Sequence, residues 1–212
     1  MDTLIVSKTR MDSGVCVGGV TETGQSVRIL TPDGKNQPFD TPLEVGDIWD
    51  MYLLNVENTL PPHTEDRKVQ QNRWKSKLTH QEIINYVWSK NIPVTSGSLT
   101  ELFHKKLKFT ASGKAYIDGN HVPDHSTAFW LAGQDLTKSE NRYIYSPFIR
   151  INSSVNQVSI PFKGFQPVRD VISKGTLLRM SLARWWRPAD SDIEERCYLQ
   201  LSGWYECSMA IP

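Results

Sequence analysis

The sequence has few cysteines and no apolar run long enough to cross a bilayer. Its 212 residues include three cysteines, an odd number without CxxC spacing, so neither a disulfide framework nor a zinc site is indicated. A membrane-spanning helix needs about 20 apolar residues, and the first residues also lack the basic and apolar regions of a signal peptide. We therefore expect a cytoplasmic protein without a membrane partner, with Cys16, Cys197 and Cys207 as small apolar side chains.

Common catalytic motifs are also missing. The sequence contains no G-x-S-x-G, no phosphate-binding loop, no HExxH and no glycine-rich dinucleotide turn before a helix. His63, Glu65 and Asp66 follow two prolines in a polar loop, and Cys197 lies in an apolar segment with no histidine near it in sequence. We expect no enzymatic activity and no cofactor. The least favoured hypothesis is a hydrolase or a small-molecule sensor that uses these polar residues.

The segment from His121 to His125 raises the question of a metal site, with His104 upstream. Zinc needs three or four ligands that converge at about 2.0–2.2 Å for nitrogen and oxygen donors. Pro123 excludes a regular helix there, so the convergence of helical i, i+4 ligands is lost. We interpret the segment as a polar loop and predict no metal site.

A net charge of +1 hides an asymmetric distribution of charge. Residues 1–66 carry 4 Lys/Arg and 11 Asp/Glu, a net charge of −7, whereas residues 67–114 carry 10 and 2, a net charge of +8. The remainder, residues 115–212, carries 10 of each. This asymmetry is typical either of a protein with an anionic partner or of two oppositely charged parts that attract each other.

Short apolar segments separated by glycine-containing turns predict a mainly β fold built of small barrels, because closure removes exposed strand edges. Thr79 with Glu82 forms a capping box that predicts a helix through Trp88, with Ile84, Val87 and Trp88 on one face, and a second short helix follows at 98–103. We expect three parts: an N-terminal barrel over 1–70, a helical, basic connecting segment over 71–110, and a C-terminal barrel over 111–212. The predicted strands are 3–8, 14–20, 25–30, 47–56, 127–131, 142–145, 148–151, 157–160, 176–183 and 197–204.

Aromatic and basic residues alternate at several places, most densely in the segment RWWR at 184–187. Single-stranded nucleic acids are bound by this mixture, since bases stack on aromatic faces while cations contact phosphates. In a strand, Trp185 and Trp186 must point to opposite faces, so one can fill the core while the other faces a ligand. The alternative is that the aromatic residues are structural. The predicted nucleic-acid-binding residues are Arg73, Trp74, Lys75, Lys77, Lys105, Lys106, Lys108, Tyr143, Tyr145, Arg184, Trp185, Trp186 and Arg187.

Several segments along almost the whole chain form a recognisable set: LIVSKTR at 4–10, PPHTED at 61–66, LARWW at 182–186 and RCYLQLSGWY at 196–205, with shorter ones at 14–19, 107–109, 124–126 and 129–130. Together these segments resemble the bacterial dual OB-containing domain family. The resemblance implies two OB-like barrels and a role in binding or sensing nucleic acid within bacterial defence systems. The helical segment is not part of a minimal OB barrel, so we expect it to lie between the barrels or to cap them.

Two hypotheses on function follow. The first is a non-catalytic nucleic-acid-binding module that favours single strands. The second is a protein-interaction adaptor that docks a partner enzyme, such as a helicase or nuclease.

Overall fold

The first part of the chain closes into a five-stranded barrel. The computed structural model describes residues 1–146, 156–190 and 192–206, so the predicted strand at 148–151 and Cys207 lie outside the described residues. The strands are β1 (Asp2–Arg10), β2 (Val15–Thr21), β3 (Ser26–Leu30), β4 (Asp47–Asn55) and β5 (Asp66–Lys77). They pair in the order β1-β2-β3-β5-β4 and back to β1, with β3 and β5 parallel. Alternate side chains, such as Ile5, Val17, Ile29 and Met51, fill the interior.

Strand β5 crosses the boundary expected near residue 70. It pairs with β4 along its length, from Asn55 opposite Arg67 to Asp47 opposite Lys77. From Gln70 onward its side chains are exposed, so the apolar alternation that marks a half-buried strand is absent. Residues 71–77 are therefore part of the first barrel, and the connecting segment begins after Lys77.

The connecting segment is only partly helical. The predicted capping box is present at the start of α1 (His80–Ser89), where the Thr79 side chain accepts from the Glu82 backbone N–H and Glu82 reaches back to the cap. Helix α1 buries Ile83 and Val87, whereas Trp88 is exposed, so its buried face is turned away from the predicted one. Next come β6 (Val94–Gly97), a 3-10 helix (Leu99–Glu101) and the four-residue α2 (Leu102–Lys105). Among the described residues, no helix combines the length and apolar character of a membrane span.

The second barrel is built from strands β7 (Lys108–Phe109), β8 (Ala115–Asp118), β9 (Thr127–Ala132), β10 (Leu136–Ser139), β11 (Arg142–Tyr145), β12 (Val158–Pro161), β13 (Val171–Ile172), β14 (Leu177–Leu182) and β15 (Arg196–Tyr205). Its connectivity repeats that of the first barrel: the pairing runs β10-β11-β12 in one sheet and β9-β14-β15 in the other, and β10 follows closely after β9. An isolated parallel bridge between Phe162 and Leu201 links the residue after β12 to β15.

The two barrels share a buried apolar layer. Leu4 and Val6 of β1 pack with Phe129, Leu177 and Tyr205 of the second barrel and with α1 in one cluster. The Tyr205 hydroxyl donates a hydrogen bond to the Val6 carbonyl, within this layer. Helix α1 thus covers the junction of the barrels, which fits the expected position of the helical segment.

Candidate nucleic-acid interface

The second and third strands of the first barrel are covered by the second barrel. Outward-facing Cys16, Gly18 and Arg28 lie across from Ser181 and Ser202, and the space left between them is a cavity of about 70 Å³. A cavity of this size holds only a few water molecules. OB-type barrels bind oligonucleotides on this strand face, so the first barrel has no room for a strand there.

The loop between β4 and β5 holds the barrels together. His63 and Glu65 are buried, and the Glu65 carboxylate accepts hydrogen bonds from the Ser126 backbone N–H at 2.6 Å and from its hydroxyl at 3.0 Å. The Thr64 hydroxyl donates to the Asp124 carbonyl at 2.9 Å. This loop carries the residues considered for hydrolysis, and its polar groups are used for contacts between the barrels.

His63 is held as a neutral donor. Burial lowers the pKa of His63, and the nearby Arg184 guanidinium lowers this pKa further. The His63 Nε2 lies 3.2 Å from the Leu182 carbonyl oxygen, which can only accept, so Nε2 carries the proton. Cys197, the other catalytic candidate, is buried, and burial raises the pKa of its thiol to about 12. A thiol with this pKa stays protonated at neutral pH and is a poor nucleophile.

Arg184 makes an ion pair across the barrel interface. Its Nη2 lies 2.6 Å from Asp66, whose carboxylate also lies 3.2 Å from Arg28 Nη1. Asp66 therefore bridges one arginine from each barrel. This contact occupies the guanidinium that the sequence analysis assigned to a phosphate.

In the part of the chain that the structure describes, no element covers the equivalent strand face of the second barrel. There β11 and β12 present Arg142, Ser159 and Pro161, and the loop after β14 brings Trp186 beside them. The exposed fraction of Trp186 is 55%, and its ring centroid lies 6.1 Å from that of Tyr198 on β15. Together they line a pocket of about 190 Å³ formed by Lys114, Ala115, Arg142, Ser159, Pro161, Trp186, Tyr198 and Leu199.

Backbone pairing fixes the position of Trp186. Its N–H donates to the Arg196 carbonyl at 3.1 Å, and the Arg196 N–H donates to the Trp186 carbonyl at 2.9 Å. The neighbouring Trp185 has the opposite environment: it is half-buried, and its Nε1 donates to the Pro61 carbonyl at 3.1 Å. The two tryptophans thus divide between a structural contact and the pocket, although β14 ends at Leu182 and the segment that holds them is not a regular strand.

Tyr143 and Tyr145 lie in the core of the second barrel and have no free face for a base. On β11 the side chains alternate, so Arg142 and Ile144 face outward while both tyrosines face inward. Arg142 is the residue of this strand that reaches the pocket, and the sequence analysis missed it along with Lys114 and Tyr198. The aromatic residues near Arg142 thus face the core, and Arg142 itself is the side chain that turns outward.

The basic residues of β5 lie on the first barrel, apart from this pocket. Arg73 lies 3.5 Å from Asp50, Lys75 lies 2.7 Å from Asp2, and Lys77 lies 3.9 Å from Asp47. Trp74 is exposed beside them. The basic residues at the start of segment 67–114 therefore form ion pairs with acidic residues of segment 1–66. This is the attraction between two oppositely charged parts that was one of the two interpretations of the charge distribution.

The remaining predicted lysines also have protein partners. Lys105 lies 3.3 Å from Glu101, and the Lys106 ammonium donates to the Val122 carbonyl at 2.9 Å. Lys108 pairs with the buried Asp118, and this hydrogen bond raises the pKa of Lys108. Arg187, in contrast, is exposed next to Trp186.

Comparison with protein families decides the identity of the fold. The model of the dual OB-containing domain family matches residues 1–204. The chain belongs to this family. A search of the curated proteins and a search of the solved structures find no match. The mainly β architecture of two OB-like barrels is thereby confirmed, and a dual OB chain has a fold of the oligonucleotide-binding type.

Proposed function

We propose that this protein binds single-stranded nucleic acid across the open strand face of its second barrel. The observation that carries the proposal is the exposed ring of Trp186, which stands beside Arg142 and Tyr198 where OB barrels hold their ligands. An exposed indole in this position stacks on a base, a contact worth about 1–3 kcal/mol. Tyr198, half-buried at its side, supports the indole from the barrel surface.

The charge and size of the pocket support a strand rather than an isolated small molecule. Arg142, Lys114 and Arg187 surround the aromatic pair and supply cations for consecutive phosphates. A pocket of about 190 Å³ is smaller than the ~300–1,000 Å³ of sites that enclose a whole drug-sized ligand. It suits one base of a longer chain that continues along the surface. Bases reach such a ring only when they are unpaired, so single strands are favoured.

We propose further that the protein is not itself an enzyme. His63, Glu65 and Asp66 support this view, because their polar groups are engaged in contacts with the second barrel. Within a bacterial defence-type system, such a module would hold a strand while another protein acts on it.

Binding is tested by fluorescence anisotropy with labelled single-stranded DNA, single-stranded RNA and duplex DNA, at about 50 mM and about 200 mM salt. We expect single strands to bind more tightly than duplex, with an affinity that falls as salt rises. Arg142→Gln should lower the salt slope by about one unit while CD spectra stay unchanged. Equal affinity for single strands and duplex, or an affinity independent of salt, would contradict the proposal.

The adaptor hypothesis has one observation in its favour. Tyr52 and Leu54 of β4 and Trp74 of β5 are exposed on the same two-stranded ladder of the first barrel. Exposed aromatic residues are enriched where proteins bind proteins. A candidate helicase or nuclease partner should co-elute with the parent and not with Trp74→Ala. Retention of the complex by Trp74→Ala would remove this ladder as the docking surface.

A further inference from the structure

A groove of about 650 Å³ runs between the two barrels, away from the pocket at Trp186. The first barrel contributes Ser26 and Arg67, and the second contributes Thr127 and Phe129. Among the described residues that line it, His104, Asp124 and His125 have metal-binding atoms that cluster together.

The ligand atoms of these three residues already converge. His125 Nδ1 lies 2.6 Å from Asp124 Oδ1, His104 Nε2 lies 3.7 Å from the same oxygen, and all three atoms lie within 4.8 Å of one another. In a tetrahedral zinc site with bonds of about 2.0–2.2 Å, neighbouring ligand atoms are about 3.3–3.6 Å apart. The His104–Asp124 separation is close to this value. The Asp124–His125 pair needs to open by less than about 1 Å.

The backbone at His104 has an uncommon conformation. Phe103, His104 and Lys105 have φ values of 51°, 58° and 63°, three consecutive non-glycine residues in the left-handed region. Side chains with a Cβ adopt this region at a cost, and such strain tends to occur where a ligand is held. The buried Phe103 side chain anchors the turn, and its ring centroid lies 5.7 Å from that of His125. The left-handed turn thus presents His104 to a loop that is distant in sequence.

We propose that His104, Asp124 and His125 bind a divalent transition-metal ion, with zinc preferred. Two imidazoles and one carboxylate form a ligand set typical of zinc and its neighbours, whereas magnesium and calcium prefer oxygen ligands alone. Three protein ligands leave a coordination position open, as in zinc sites that bind water or a further ligand. Because all three residues line the groove, the open position faces it.

Pro123 excludes a helical pair of ligands within the segment from His121 to His125, so the sequence alone predicts no metal site there. The structure reaches convergence differently: Asp124 and His125 are neighbours, and the third ligand, His104, comes from the left-handed residues within α2. His121 is exposed and stands outside the cluster. It is therefore a matched control, a histidine of the same loop that the proposed site does not use.

Zinc binding is measured on untagged protein that is stripped with a chelator and then dialysed against zinc, with metal content determined by elemental analysis. We expect one bound ion per chain in the parent and in His121→Ala, and at least about a tenfold weaker affinity in His104→Ala. Cobalt in place of zinc should give the visible absorption of a tetrahedral site in the parent and not in His104→Ala. His104 is an exposed side chain, and CD spectra verify that its variant is folded.

Three results would overturn the proposal. The parent could bind no stoichiometric zinc, which rejects the site. His104→Ala and His121→Ala could both keep the zinc affinity of the parent, which rejects His104 as a ligand. The two variants could also lose zinc affinity equally, which assigns the ion to a set of ligands that includes His121.

Discussion

Glu65 is a buried carboxylate of the first barrel that satisfies donors of the second. Glu65→Ala leaves the Ser126 backbone N–H and hydroxyl without their acceptor in a buried place. We expect the free energy of unfolding to fall by about 1–3 kcal/mol, measured by urea denaturation. Glu57→Ala, an exposed glutamate of the same loop, should change it by less than about 0.5 kcal/mol. Equal effects of both variants would contradict the structural role of Glu65.

A substitution at His104 tests whether backbone strain at this residue is linked to the proposed metal site. Glycine adopts the left-handed region without steric cost, so His104→Gly should relieve strain at φ 58°. We expect a metal-free variant with a melting temperature equal to or above that of the metal-free parent, together with loss of zinc-induced stabilisation. A metal-free variant that melts well below the parent would contradict the strain argument.

Which aromatic residues face solvent could not be read fully from the sequence. Trp185 and Trp186 lie beyond the end of β14, so strand alternation does not decide their orientation. The sequence also does not reveal which of the alternating positions of β11 face the core. Tyr143 and Tyr145 face the core because their large rings fill the barrel, and Arg142 faces outward. Which side of β11 faces the core is set by packing between strands that are far apart in the chain.

Among secondary-structure elements, the loop between β4 and β5 makes stability dependent on pH. His63 stays neutral in the folded state because burial lowers its pKa, whereas in the unfolded chain the pKa is near 6.5. Below that pH the unfolded chain takes up a proton that the folded protein does not, so the free energy of unfolding falls as pH decreases. Glu65 and Asp66 act in the opposite direction but do not reverse this shift.

This pH dependence is measured by urea denaturation between about pH 7 and pH 5.5. His63→Gln keeps a side-chain N–H near the Leu182 carbonyl and cannot titrate, so its unfolding free energy should fall less over this range. Part of the dependence should remain, because burial also lowers the pKa of His80. His121→Gln, at an exposed position, should behave as the parent does. Identical pH profiles for parent and His63→Gln would refute this role of His63.

Secondary structure could be predicted from the sequence where residues close together in the chain interact strongly. The capping box of Thr79 and Glu82 is a local signal, and helix α1 begins directly after it. Strand β5 was missed because its outer half, from Gln70 to Lys77, is polar and exposed on β4. Its stability comes from the long ladder with β4, a partner that begins about 20 residues earlier.

At the scale of the whole molecule, the apolar layer shared by β1, α1, β9, β14 and β15 should make the barrels unfold together. We expect one calorimetric transition whose van't Hoff and calorimetric enthalpies agree. Leu177→Ala, in the second barrel's part of this layer, should cost about 2–5 kcal/mol and lower that transition without splitting it. Two separate transitions in the parent would show that the barrels are independent.

The family relationship and the two-barrel architecture could be predicted from the sequence, but the unequal roles of the barrels could not. The second barrel covers the strand face of the first, whereas none of the described elements covers the equivalent face of the second barrel. This arrangement depends on contacts such as those of Arg28 and Arg184 with Asp66. These contacts join positions that are up to 118 residues apart. They arise only once both barrels have formed.

Binding of single strands across the second barrel is tested most directly by comparing two exposed tryptophans, one on each barrel, in titrations with labelled single-stranded DNA and RNA. Trp186 and Trp74 have similar exposed fractions, 55% and 53%. We predict that Trp186→Ala weakens binding by about 5- to 150-fold, the equivalent of one lost base stack, whereas Trp74→Ala binds as the parent does. Unchanged binding by Trp186→Ala, or a loss confined to Trp74→Ala, would contradict a strand-binding face on the second barrel.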